Sequence, residues 1–509
     1  MNLVELPLQH ALANPDRIAL IDGREGRERS TSYAHFRAQV YAAVATWQHL
    51  GVGSGDRVLV LIPMRSELYV TLAALWYIGA TAVFLDPSAG RKVIRRCCEE
   101  SRPQGLIGIP AARLPGWWHT PLRRIPFHWY WPWWGSPNQQ ETLPSPPADL
   151  DPDHPAILTF TSGSTGFPKG AIRSHGLLLA QYHALVEELN LQAGETDLAT
   201  LPVFTLINLA AGLTTLIPDA KLSHPGFIKP EPVLRQIQRF SPSRCVASPA
   251  FLQRLAEGAP DPSSLQSLRT LHTGGAPVSP RTLDKLAGSF QKADINVLYG
   301  STEAEPISSI ALTAISEKDR QSIRQGAGLP VGNIASIARV RILPDRFGQP
   351  LSFASSTEFE TQSLAPGQAG EILVSGPHVI PGYLNGHGDE AHKVMVDSVV
   401  WHRTGDAGYL DEEGRLWLLG RCSARLDLNG RTIYPFSIEI AAVEAFDCSL
   451  AACLIVDGKP VLCLPPGTKP PDLPWSGPIP INDIRILPLP LDKRHNAKID
   501  YTALRKMVR

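Results

Sequence analysis

"LTFTSGSTGFPKGAIRSH", residues 158–175, is the stretch that decides how this chain is read. It opens on the end of a short apolar segment, "AILTF", with the composition of a buried strand. The strand runs into a loop of Thr, Ser and Gly, then Lys169, then a predicted helix. Glycines let a backbone approach a ligand closely, and bare N–H groups beside hydroxyls make a concave anion site. Lys169 adds a positive charge to it. The loop is not of the GxxxxGK[ST] kind, because Gly166 is followed by "FPKG".

Upstream, "DRVLVLIP" (56–63) reads as a buried parallel strand, with a helix after it and "GATAVFLDP" (79–87) as the next strand. That order at that spacing predicts an α/β fold. An uncharged run, Tyr69 to Leu85, is short for a membrane span and contains Gly79. It predicts a buried helix, a turn at Gly79 and a core strand. "GWWHTPLRRIPFHWYWPWWGSP" (116–137) holds six of the 11 tryptophans without a clean period. Two readings stay open for it: an irregular loop packed on the surface, or a patch for a membrane interface or a partner. A linker follows at 138–155, and strands and helices alternate again from Ala156 to about residue 340. Residues 340–420 carry short strands between turns, and roughly ninety residues after Gly420 have strands of their own. The expectation is a large N-terminal domain, 1–420, of two α/β subdomains plus a β-rich subdomain. A small mobile α+β domain, 421–509, completes it.

At 509 residues the chain exceeds one core. Lys plus Arg and Asp plus Glu each number 48, which argues against nucleic acid or an anionic membrane as the main partner. The seven cysteines include no CxxC pair, so a disulfide framework or zinc site is not expected and a reducing cytoplasm fits best. The start lacks the pattern of a signal peptide.

Four further motifs join the loop: "GGAP" (274–277), "LYGSTE" (298–303), "HRTGD" (402–406) and "GR" (420–421). With them the chain resembles the adenylate-forming enzymes, which include acyl-CoA synthetases, firefly luciferase and peptide-synthetase adenylation domains. The resemblance covers nearly the whole chain. It implies that Thr161, Ser162, Gly163, Ser164, Thr165, Gly166 and Lys169 hold the phosphates of ATP, and that Gly274, Gly275, Ala276 and Pro277 meet the adenine. Tyr299, beside Gly300, offers an aromatic face to the purine. Asp406 and Arg421 match the ribose-binding positions, and Thr302 would hydrogen-bond the α-phosphate. Glu303 is the matching ligand for Mg²⁺, which prefers oxygen. "PLDKRHNAKIDY" (490–501) is close to the family's C-terminal motif and places Lys498 as the adenylation lysine, with Ala497 where a Gly is usual.

In "GRCSARLDLNGRTIYPFSIE" (420–439) the pattern departs from the family. Ser423 and Ala424 replace two aspartates and Asp427 replaces a lysine, while Gly430, Ile433, Pro435 and Glu439 remain. In acyl-CoA ligases this segment shapes the thioester-forming site, so CoA is a doubtful acceptor here. "RHNAKI" (494–499) and residues 197–219, read as a strand, are similar to the β-lactone synthetases of bacterial olefin biosynthesis. That branch implies a β-hydroxy fatty acid whose own hydroxyl displaces AMP, in company with other enzymes of a lipid or natural-product pathway. Phe204, Thr205 and Leu206 are expected to line the acyl pocket. An acyl-CoA or carrier-protein ligase and a non-catalytic acyl or nucleotide sensor are the rival readings. The cytoplasm is the expected location, with peripheral membrane contact left open.

Overall fold

The uncharged run folds as its pattern predicts. Ser66–Ile78 is a helix with almost every residue buried, Gly79 ends it in the left-handed conformation, and Thr81–Phe84 is a strand. A computed structural model shows this arrangement and describes residues 2–24, 26–86, 89–113, 120–131, 145–162, 168–259, 261–428, 430–469, 475–491 and 499–508. The chain clusters into two compact units.

The first unit comprises Met1–Asp219 with Pro242–Arg244 and Pro377–Glu390. One sheet runs in the order Phe127–Tyr130, Gly105–Gly108, Arg57–Leu61, Thr81–Phe84, Pro155–Ser162 and Pro168–Ser174. Its pairings are parallel except the last. Helices Tyr33–His49 and Ser66–Ile78 supply much of the apolar cluster that covers it. Three expectations change here. The segment after the phosphate loop is a returning strand, Pro168–Ser174, and the helix begins only at His175. The strand 155–162 therefore extends the sheet begun at residue 57 and does not open a new one. Residues 127–130 of the Trp-rich stretch are a strand and 120–123 a helical turn, while 114–119 and 132–144 lie outside the described residues. The alternation Phe-His-Trp-Tyr suits a pleated edge, where Trp129 packs edge-on against Trp47.

His175 also pins the chain's start: its Nδ1 accepts the Leu3 N–H, and Asn2 donates to the Trp76 carbonyl. Burial, with His154 nearby, pushes the imidazole down to about 4. The unfolded chain takes up this proton near the ordinary 6.5 and the folded chain does not, so stability falls as pH drops through that window. The full effect is about 3 kcal/mol. We expect the drop in urea midpoint between pH 7 and pH 5 to be smaller in His175→Gln than in the native protein. Equal drops would show that His175 does not carry it.

In the second unit strands follow in the order Thr270–Gly274, Asp294–Ser301, Ala304–Ala311, Leu329–Ile334, Leu416–Arg421, Val399–Leu410, Gly370–Ser375 and Arg339–Leu343. Only the first pair is parallel. Strands 339–343, 370–375, 399–410 and 416–421 are the β-rich region expected between 340 and 420, but the antiparallel pairing begins earlier, at Ala304–Ala311. Beyond it, helices Pro435–Phe446 and Tyr501–Val508 pack on a three-stranded sheet of Ala452–Val456, Lys459–Leu464 and Asp483–Ile486. This is the α+β arrangement expected for the C-terminal residues. All seven cysteines are buried and free. No helix among the described residues is long and apolar enough to cross a membrane.

Candidate active site

Parallel strands 270–274 and 294–301 end side by side, and each delivers a motif at its C-terminal end. Gly274 packs so closely on its neighbour that an added Cβ would lie 2.5 Å from the Leu298 carbonyl oxygen, and Gly275 takes φ +76°. The turn "GGAP" needs both glycines for those reasons. Antiparallel strands 399–410 and 416–421 set Asp406 directly opposite Arg421. The turn after strand 270–274 and residues of the other three strands line a cavity of about 410 Å³. Gly275, Ala276, Pro277, Tyr299, Gly300, Asp406 and Arg421 all line it. Seven residues singled out in the sequence thus meet on one surface.

Their polar groups are already organised. The Tyr299 hydroxyl donates to Asp406 Oδ2 at 2.8 Å, and Arg421 Nε meets Asp406 Oδ1 at 3.1 Å. The Asp406 N–H donates to Thr404 Oγ1, which in turn donates to the Ile372 carbonyl. Burial and the Asp406 charge hold the Tyr299 phenol well above its ordinary range, so it stays a donor. A fixed carboxylate with a guanidinium beside it, at the wall of a cavity with an apolar side, suits a ribose diol under a purine. Thr302, exposed, and Glu303, half-buried, occupy the turn after Gly300. Mg²⁺ bound mainly by phosphate oxygens and water needs few protein ligands, and a carboxylate such as Glu303 supplies the right donor.

Arg403 is a residue of "HRTGD" that sequence reasoning passed over. It is fully buried against Glu371 at 2.6 Å and also donates to the Gln349 and Arg346 carbonyls. Burial nevertheless raises the Glu371 carboxyl above its usual range. The pair braces the strand that carries Asp406. No sequence period marks it, because its partner lies on a separate strand.

The first unit holds the phosphate-loop and acyl-pocket positions named from the sequence. Gly163, Ser164, Thr165 and Gly166 lie outside the described residues. Thr161 and Ser162 are the last positions of the strand, paired with Lys169 and Pro168. Lys169 is buried under the segment Pro377–Glu390. Its ammonium sits 5.4 Å from the Tyr383 ring centre, and a Cβ at Gly388 would touch its stem. Phe204 and Thr205 are buried and Leu206 half-buried, on the helix Pro202–Ala211. Residues 197–219 are thus strand, helix and strand, not one strand. A short all-round apolar run does not show its period. Beneath that helix, the Asn208 amide donates to a fully buried Asp197, whose carboxyl burial pushes up to about 6.

The C-terminal residues reach the same cavity in the second unit. Phe436, Glu439, Ile440, Ile499 and Tyr501 line it. Lys498 lies outside the described residues, but Ile499 bridges to Leu491 across the segment that contains it, and the Asp500 N–H donates to the Pro490 carbonyl. Glu439 is buried, and burial pushes its carboxyl up to about 7. Its survival in the altered 420–439 segment was the one signal of it in the sequence.

These features define an AMP-binding enzyme. Residues 8–384 match the AMP-binding enzyme family, and the chain belongs to it. It is an adenylate-forming ligase, which activates a carboxylic acid with ATP. Among curated proteins it is similar to the olefin beta-lactone synthetase of Xanthomonas campestris pv. campestris, at 30% identity over 454 residues, 84% of this chain and 80% of that one. The olefin beta-lactone synthetase of Stenotrophomonas maltophilia is 31% identical, over 86% and 80%. A 4-coumarate–CoA ligase of Oryza sativa subsp. japonica is 25% identical, over 84% and 75%. Among solved structures, the amide bond synthetase McbA of Marinactinospora thermotolerans superposes with a TM-score of 0.78 at 21% identity, each chain fully covered. That last likeness concerns the fold.

Proposed function

We propose that this ligase activates a β-hydroxy fatty acid and closes it to a β-lactone. In the first step the carboxylate oxygen attacks the α-phosphorus of ATP, forming the acyl–AMP anhydride and releasing pyrophosphate. In the second the substrate's β-hydroxyl oxygen attacks the acyl carbonyl carbon. The C–O bond to AMP breaks, AMP leaves with the electron pair, and the hydroxyl proton is lost. An internal nucleophile has a high effective concentration, which offsets part of the strain of a four-membered ring. Tyr299, Asp406, Arg421 and the "GGAP" turn hold adenosine; the loop 161–166, Lys169 and Thr302 hold phosphates. Glu303 would hold Mg²⁺, which neutralises phosphate charge when bound. Phe204, Thr205 and Leu206 face the acyl chain in this reading. Residues 421–509 act as the smaller domain, turning about Gly420–Arg421 to deliver Lys498.

The observation that carries the lactone step is the identity gap: two relatives named for that product at 30–31%, and a CoA ligase at 25%. The altered segment 420–439 points the same way. There Asp427 is committed to the turn of a hairpin, accepting the Gly430 N–H at 3.1 Å. AMP release from ATP should need a β-hydroxy acid and no thiol, and the plain fatty acid should give little. Turnover that depends on CoA would replace this reading with a thioester-forming ligase, the family's majority behaviour.

A further inference from the structure

One buried carboxylate in the nucleotide cavity has no part in the reaction described above. Glu439 sits on the helix Pro435–Phe446, and its Oε1 accepts two hydrogen bonds. One comes from the Cys453 N–H at 2.9 Å, on the neighbouring strand. The other comes from the Tyr501 hydroxyl. Both donors are neutral, so nothing among these contacts repays the desolvation of a charge. A buried carboxylate held this way costs stability whatever its role.

The geometry links three parts of the second unit. The helix carrying Glu439 is tied through its end to the helix Pro280–Ser289, which follows the "GGAP" turn. The Arg281 N–H donates to Glu444 at 3.0 Å, and Arg281 and Lys285 both meet Asp447. Tyr501 begins the last helix, which Asp500 caps through the Ala503 N–H. Two residues before Tyr501 comes Ile499, bridged to Leu491. Ile499, Tyr501 and Glu439 line one cavity with Tyr299 and Asp406. A continuous path thus runs from Arg281 through the helix and Glu439 to Tyr501 and the residue that follows Lys498.

We propose that Glu439 is a positioning residue: its bond to Tyr501 anchors the base of the segment 492–498 and so sets where Lys498 can reach. The inference rests on the reading of Lys498 as the adenylation lysine. The hydrogen bond supplies direction, which apolar packing of Ile499 and Leu504 alone does not. A misplacement of about 1 Å at a reacting group costs on the order of a hundredfold in rate. Losing the anchor should therefore lower kcat and leave nucleotide affinity alone.

The test is acid-dependent ATP–pyrophosphate exchange by the full chain, with ATP affinity measured alongside. Tyr501→Phe and Glu439→Leu should each lower kcat by about ten- to a hundredfold, with KM for ATP within about twofold. Glu439→Gln keeps an oxygen that accepts both bonds and should stay near the native rate. A native kcat in Tyr501→Phe overturns the proposal. So does a loss confined to KM, or a Glu439→Gln as impaired as Glu439→Leu. If Glu439→Leu fails to fold, Tyr501→Phe decides, since it removes one oxygen only. Lys498→Ala separates the two layers. If it exchanges like the native protein, the lysine reading fails. If it is inactive while Tyr501→Phe is not, the anchor alone fails.

Discussion

Lys498→Ala should lower acid-dependent ATP–pyrophosphate exchange by two to three orders of magnitude while ATP binding stays near native. In adenylation a carboxylate approaches an α-phosphate, so negative charge builds between two groups that repel. A preorganised cation aimed at that charge acts only as the charge develops, and removing one such donor costs about 10²–10³ in rate. In the reading proposed above, ground-state binding rests on other contacts. The Tyr299 hydroxyl, Asp406 and Arg421 form a bonded set with one another on the cavity wall. Exchange should therefore collapse with little change in ATP affinity. An unchanged exchange rate would move the catalytic charge to some other residue.

Arg403→Met is expected to destabilise the second unit by about 3–5 kcal/mol, the usual cost of stranding one partner of a buried pair. Arg403 and Glu371 are 1% and 0% exposed, so solvent cannot take over from the lost guanidinium. The substitution also leaves the Gln349 and Arg346 carbonyls without their donor. Urea unfolding followed by tryptophan fluorescence reads the loss. The double change Arg403→Met with Glu371→Leu should recover a good part of it, because an apolar pair needs no counter-charge. A single variant as stable as the native protein would show that the pair contributes nothing. Since Asp406 lies on the same strand, weaker ATP binding should accompany the loss.

Much of the fold was legible in the residues. "DRVLVLIP" and "GATAVFLDP" became adjacent parallel strands because continuous apolar runs bounded by turn residues have few other fates. Gly79 marked the break between helix and strand in an uncharged run. The returning strand 168–174 was less legible. Its Lys, Gly and Arg give no apolar alternation, and pairing with 155–162 settles its form. The helix 202–211 was hidden for the opposite reason: its apolar residues are spread too widely for a period to show.

By itself the sequence determined the chemistry: the loop at 161–166, the "GGAP" turn, Tyr299, Glu303, Asp406 and Arg421 name an adenylate-forming ligase through residue type and spacing. Only the tertiary structure decided which other side chains join that set. It put Glu439 and Tyr501 beside Tyr299, and Arg403 against Glu371. Such meetings depend on how helices and strands far apart in the chain share one apolar core, and local periodicity carries no record of that packing.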